Sequence, residues 1–303
     1  MQSLDELNSR FAIPGKLQFQ SGAGGLTRAV ISTPLASGQV YLHGAHVTHY
    51  QARDQQPILF LSSKSEFTAA KAIRGGVPIC FPWFGAGKDG KAPLFHGFAR
   101  TFPWNAASTA STDDAVQLTL SLTSDNNTKS LWPFDFQARY TISVGARLQL
   151  AVEISNTGST SLEFEEALHT YFQVADIRRV RISGLEKTQY LDKTRDMKTF
   201  SQGEQAVTVT EETDRVYLRT GAMCVASDPA GGRNIVIANR ASNTTVVWNP
   251  WSEKAKTMAD MGPGEWTQML CIETCNVKDA AITLQPGQSH TMTAIIGAEH
   301  LSK

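Results

Sequence analysis

Apolar and polar residues alternate along this chain in short windows rich in β-branched and aromatic side chains. Val116-Gln117-Leu118-Thr119-Leu120-Ser121-Leu122 and Leu148-Gln149-Leu150-Ala151-Val152-Glu153-Ile154 are the clearest of them. A period of two turns one face of a segment toward a core and the other toward water, so both predict half-buried strands. Similar runs near 38–50, 136–144, 162–174, 206–219, 234–239, 244–248, 266–275 and 288–296 are separated by Gly, Asn, Asp and Ser. Helical spacing is confined to 4–10 and a turn near 254–261, and the long helices that an α/β fold sets between its strands are missing. No Pro/Ser-rich linker, composition shift or fixed repeat divides the chain. The pattern predicts an all-β protein, one large antiparallel β-sandwich with few short helices. It forms a single domain over 1–303, with 1–25 as an N-terminal extension.

Composition narrows the function classes. With 41% hydrophobic and 18% charged residues in 303, the chain can bury a sizeable core. Its 28 Lys and Arg balance 28 Asp and Glu. That removes the electrostatic footprint of a nucleic-acid binder or a polybasic membrane anchor, while a few converging arginines can still make a local anion site. Asp5 and Glu6 stand where a secretory leader would be basic, and 29–52, the longest stretch without a charge, is broken by Pro34, Gly38 and three histidines. A cytoplasmic protein with neither membrane nor nucleic-acid partners is expected. Cys80, Cys224, Cys271 and Cys275 lie in apolar sequence without zinc-site spacing and read as reduced core thiols.

Candidate chemistry is sparse. Gly85-Ala86-Gly87-Lys88-Asp89-Gly90 fits GxGxxG, but Pro93 and Leu94-Phe95-His96-Gly97-Phe98 follow where a helix would have to start, so it reads as a loop. His43, His46 and His49 are three apart, which on a strand sends His46 to the opposite face, and Gly44-Ala45 looks like a bend; no metal site is expected. Nucleophile-elbow, HExxH and Walker motifs are absent. Two glycine- and aromatic-rich segments carry single arginines, Arg74-Gly75-Gly76-Val77-Pro78 and His96-Gly97-Phe98-Ala99-Arg100. A guanidinium fork there suits carboxylate, phosphate or sugar oxygens, and structural pairing at a sheet edge is the competing reading of each. Glu273 falls on the same side of its predicted strand as Met269, Cys271 and Cys275, where burial would raise its pKa and suit a general base. A salt-bridged or edge-exposed Glu is the alternative. His169 is a titratable group in the apolar run Ala167-Leu168-His169-Thr170-Tyr171-Phe172.

Taken together, Arg74-Gly75-Gly76 with Pro78 and Phe81-Pro82, His96-Gly97-Phe98-Ala99-Arg100, Ala167-Leu168-His169-Thr170-Tyr171-Phe172, Val247-Trp248-Asn249-Pro250-Trp251 and Cys271-Ile272-Glu273 resemble, in this order, the aldose 1-epimerase superfamily. Within it they resemble the glucose-6-phosphate 1-epimerases. The resemblance runs from about residue 44 to about residue 297. It implies a galactose-mutarotase-like β-sandwich (a supersandwich), no metal, no organic cofactor and a small phosphosugar, D-glucose 6-phosphate, as partner, with a monomer expected. It further implies His169 as catalytic acid, entering protonated, Glu273 as catalytic base, and Arg74, His96, Arg100 and Asp214 as substrate-binding residues. Phe95 departs from relatives that carry a polar residue there. A mutarotase for neutral aldoses and a non-catalytic carbohydrate-binding sandwich are the competing functions. A glycosidase would need a second carboxylate that the sequence does not nominate.

Overall fold

Phe136–Val144 and Leu148–Asn156 alternate buried and more exposed positions residue by residue, as the period of two predicts. The computed structural model describes residues 2–69, 71–221 and 223–301. Strands dominate it, with three α-helices of eight, six and six residues among the described residues. One sheet holds eight antiparallel strands in the order Arg181–Ser183, Met223–Asp228, Arg233–Arg240, Ser289–His300, Leu148–Asn156, Phe136–Val144, Val116–Thr123 and Asn105–Ser111. A second eight-stranded sheet runs Lys198–Ser201, Gln189–Asp192, Thr213–Leu218, Thr244–Asn249, Met269–Asn276, Glu166–Leu168 and Ile79–Cys80, with Tyr171–Gln173 also paired to Met269–Asn276. A four-stranded meander, Leu17–Ser21, Thr27–Ser32, Ala36–Tyr41 and His46–Ala52, and a two-stranded ladder complete it. No described helix is long and apolar enough to cross a membrane.

The strand Met269–Asn276 is buried at every position. Leu270 and Ile272 join Val247, Leu168 and Phe172 in the main core, together with Leu150, Val152 and Met292 of the first sheet. On the other face, Met269 and Cys271 pack with Phe60, Ala255 and Met261, while Cys275 packs with Cys80, Phe84 and Val246. This strand is therefore covered on both sides, where the sequence pattern predicted half-burial. Fully burying a side chain such as Leu270 or Ile272 contributes about 1.5–3 kcal/mol. Two of them offset the roughly 1–3 kcal/mol cost of an under-bonded buried polar group on the same strand.

Several boundaries differ from the sequence reading. The N-terminal extension packs onto the sandwich, with Leu7, Phe11, Leu17 and Phe19 in the main core. Ser3 and Glu6 form a capping box that starts the helix Leu4–Phe11. The run at 38–50 is two strands broken where Gly44 and Ala45 take positive φ, and a Cβ at Gly44 would strike the backbone of Arg100. Only Thr213–Leu218 of the run at 206–219 is a strand. The turn expected near 254–261 is a helix beginning earlier, Trp251–Lys256.

One buried polar contact joins the two large sheets. Glu166 Oε1 accepts from Asn276 Nδ2 at 2.9 Å and lies 3.0 Å from His290 Nε2. The hydrogen bond to Glu166 raises the His290 pKa against the opposing effect of burial. His290 thus binds its proton more tightly in the folded protein. Its contribution is complete below the ordinary imidazole value near 6.5 and is lost as pH rises through the raised value. The gap in Tm between wild type and His290→Gln should be widest below about pH 6 and close by about pH 9. A gap that is constant across this range contradicts the assignment.

Candidate active site

Strand register brings the two titratable groups together. Ala167 pairs with Cys275 and Leu168 with Thr274, while beyond a short interruption Tyr171 pairs with Cys271 and Phe172 with Leu270. The same register holds on both sides of the gap and sets His169 opposite Glu273. At the gap the ladder yields: the His169 N–H donates to the Pro78 carbonyl at 2.9 Å and the Thr170 N–H to that of Leu168 at 2.8 Å. His169 Nε2 lies 3.3 Å from Glu273 Oε1, with 8% and 1% of the two side chains exposed.

Aromatic rings fix the imidazole. Tyr171 stacks on it with centroids 4.9 Å apart and planes 14° from parallel, and Trp248 meets both rings edge-on at 5.9 Å. His96 approaches His169 edge-to-face at 5.4 Å. A reciprocal pair of bonds holds His96: its N–H donates to the Gly85 carbonyl at 2.6 Å, and the Gly85 N–H donates to His96 Nδ1 at 3.1 Å. Nδ1 is thereby an acceptor, so a neutral His96 carries its proton on Nε2. His96 has φ 65° and Gly97 φ 73°, and a Cβ at Gly97 would run into the Phe81 carbonyl. The glycine is required for the turn that presents His96. The GxGxxG segment is a loop closed by this same contact.

Burial dominates the electrostatics. It raises the Glu273 pKa well above the carboxylate range, with nearby Asp214 acting in the same direction and Lys193 and Arg100 against it. It lowers His169 well below the imidazole range, helped by the charges of Arg100 and Arg74. His96 is lowered by burial and then by Arg100 and His169. In the protein alone burial therefore disfavours the charged form of each partner, carboxylate and imidazolium alike. Desolvation and the charges of Arg100, Arg74 and Lys193 thus oppose the protonated His169 expected from sequence.

The remaining sequence candidates surround the pair with different degrees of freedom. Arg74 donates through Nε to Asp260 at 3.0 Å and through a terminal nitrogen to the Tyr171 hydroxyl at 2.8 Å, so it props the ring beneath His169. Arg100 donates to the Phe95 carbonyl at 2.6 Å, its buried Nε has no protein partner, and no carboxylate pairs with it among the described residues. Asp214 stands opposite Trp248 in the sheet. One of its oxygens meets Lys193 Nζ at 2.9 Å and the other is buried without a partner. His169 Nδ1 and Glu273 Oε2 are likewise buried and unpartnered. Phe95 is 57% exposed, with its ring 4.4 Å from that of His96. Sequence reasoning missed Lys193, which lies in the polar run Leu191-Asp192-Lys193-Thr194-Arg195, and Asp260, where no local pattern marks a site.

His43, His46 and His49 bond separately to Lys71 O, Gly75 O and Ser37 Oγ, and burial lowers His46 to about 3. Among the described residues one group has ligand spacing: His169, Cys271 and Glu273 offer atoms within 4.8 Å of one another. The charges of Arg100, Arg74 and Lys193, which lower the His169 pKa, act against a divalent cation at this group. All four cysteines are buried and free.

Comparison with known proteins places the chain and its fold. The family model for aldose 1-epimerase matches residues 29–297. A protein of Cenchrus ciliaris that carries the provisional name glucose-6-phosphate 1-epimerase is 36% identical over 259 residues, covering 82% of this chain and 78% of that one. The crystal structure of a provisionally named mutarotase from Salmonella typhimurium superposes with a TM-score of 0.89 at 29% identity, covering 96% of each chain. A galactose mutarotase-like protein from Clostridium acetobutylicum shares the fold with a TM-score of 0.76 at 14% identity, over 94% of this chain and 98% of that one. The all-β, galactose-mutarotase-like architecture expected from sequence is thus the architecture present.

Epimerase activity should survive exhaustive chelation, measured by polarimetry with the spontaneous rate subtracted. Loss on chelation, restored by one added metal and abolished in Cys271→Ala, would instead assign a metal to the group His169, Cys271 and Glu273.

Proposed function

The chain belongs to the aldose 1-epimerase family, and from that premise we propose that it interconverts the α and β anomers of a hexose 6-phosphate, D-glucose 6-phosphate being the substrate read here. The observation that carries the phosphosugar reading is the charge balance around the pair. Arg74 is matched by Asp260 and Lys193 by Asp214, whereas Arg100 has no carboxylate partner among the described residues. One half-buried guanidinium beside a neutral catalytic pair calls for an anion, and a sugar phosphate supplies it.

Anomerisation needs a base at the C1 hydroxyl and an acid at the ring oxygen. The proton held by the pair passes from the Glu273 carboxyl to His169 Nε2 once the phosphate offsets the cations that disfavour imidazolium. With C1 of the sugar set against both groups, Glu273 takes the proton of the C1 hydroxyl while His169 delivers its own to the ring oxygen. The bond from C1 to the ring oxygen breaks, and C1 becomes an aldehyde. Rotation about C1–C2 and reversal of both transfers closes the other anomer, returning each proton to the group it left. His96, a donor through Nε2, holds the ring-oxygen side. Asp214 accepts from a sugar hydroxyl, and Arg100 takes the phosphate, with Arg74 adding its charge to the same site. No net oxidation or group transfer occurs, so the pair alone accounts for the chemistry.

Glu273→Gln and His169→Asn should each lower turnover by about 100-fold to 10,000-fold with the fold retained, as judged by stopped-flow polarimetry and circular dichroism. Near-native rates in folded variants would remove both from the mechanism.

Arg100→Ala separates phosphosugar from neutral-sugar use. A charge-assisted bond contributes about 1.5–3 kcal/mol. The phosphate lies away from C1, so the loss should appear as a raised KM for glucose 6-phosphate more than a lowered kcat, with slow use of free glucose unchanged. Equal efficiency on both sugars, with Arg100→Ala affecting both alike, would make this a neutral-aldose mutarotase. Sugar binding without turnover would make it a carbohydrate-binding sandwich.

A further inference from the structure

Lys193 is unlike the other lysines in ion pairs. Their side chains are 43% to 88% exposed, whereas that of Lys193 is 26% exposed. Its ammonium lies 2.9 Å from Asp214 Oδ2 and 5.3 Å above the ring of Phe84. Phe84 in turn packs on His96, whose ring meets that of His169. Lys193 opens the 3₁₀ turn Lys193–Arg195, which Asp192 fixes by accepting from the Thr194 N–H at 3.0 Å and the Thr194 hydroxyl at 2.6 Å. Asp192 faces Arg195 and Arg215, which leaves Lys193 to Asp214.

We infer that Lys193 is a positioning residue of the sugar site: it holds Asp214 as a fixed, ionised acceptor whose second oxygen, Oδ1, receives a sugar hydroxyl. This rests on the sugar-binding half of the proposed function, that the site takes a sugar phosphate. Asp214 Oδ1 is buried and without a partner, and an ionised oxygen in that setting accepts strongly from a hydroxyl. Burial works against this ionisation and raises the Asp214 pKa, with Asp192 on the neighbouring strand adding to the rise; Lys193 and Lys254 of the helix Trp251–Lys256 oppose it. Lys193 is also the foremost charge lowering Glu273, which faces Asp214 and Arg100 besides its partner His169 and the thiols of Cys271 and Cys275. Removing Lys193 therefore moves protonation of Asp214 to higher pH, and a protonated Asp214 loses the charge-assisted bond.

Titration calorimetry with glucose 6-phosphate on wild type, Lys193→Met and Lys193→Arg tests this. Near neutral pH the Met variant should bind about 10-fold to 100-fold more weakly, with Lys193→Arg within about 3-fold of wild type. The loss relative to wild type should widen as pH falls from about 8 to about 5. Comparison with wild type at each pH cancels the titration of the phosphate itself. Lys193→Gln, which keeps polarity but not charge, gives the same reading if the Met variant unfolds. Wild-type affinity in Lys193→Met, or a loss equal at every pH and not rescued by Arg, overturns the inference. Binding by wild type without anomerisation would overturn the proposed function and leave this assignment standing.

Discussion

Everything about the site depends on one carboxyl group placed on a strand with no wet face. Met269–Asn276 is buried at each position, so Glu273 meets Val246 across one ladder and, by register, His169 across the other. In such surroundings neither a lone carboxylate nor a lone imidazolium is stable. Their contact at 3.3 Å sets a proton donor against a proton acceptor. In the proposed mechanism acid and base thus arise from one constraint, because the desolvation that would make an ionised Glu273 a strong base would also make a charged His169 a strong acid.

That constraint explains the arrangement of the cations. Arg74, Arg100 and Lys193 each act on His169, yet two of them are tied to carboxylates, Asp260 and Asp214. The pairings keep the pocket from becoming strongly positive while leaving directed donors in place. Tyr171 links the two layers, bonding to Arg74 through its hydroxyl and stacking under His169 through its ring. A change at Arg74 therefore reaches the imidazole through packing as well as through charge.

The legible part of this protein was the part written in local periodicity. Alternation in Phe136–Val144 and Leu148–Asn156, the bend at Gly44 and Ala45, and the side of the strand on which Glu273 falls all depend on neighbours in sequence. The family resemblance supplied His169, His96 and Asp214, whose meeting depends on pairings between segments far apart in the chain. Burial of both faces of Met269–Asn276 was not legible, since the covering residues Phe60, Ala255 and Met261 come from irregular segments. Lys193 and Asp260 gave no sequence signal because an ion pair requires proximity and no periodicity. The N-terminal helix was seen, but its docking through Leu7 and Phe11 is again a long-range contact.

Ring opening by the His169 and Glu273 pair is tested most directly by magnetisation exchange between the α and β C1 resonances of glucose 6-phosphate at equilibrium. The exchange rate should exceed the spontaneous, buffer-catalysed rate, rise linearly with protein concentration, and return to the spontaneous rate when folded Glu273→Gln replaces the wild type. An exchange rate unaffected by wild-type protein, for glucose 6-phosphate and for free aldoses alike, would contradict it.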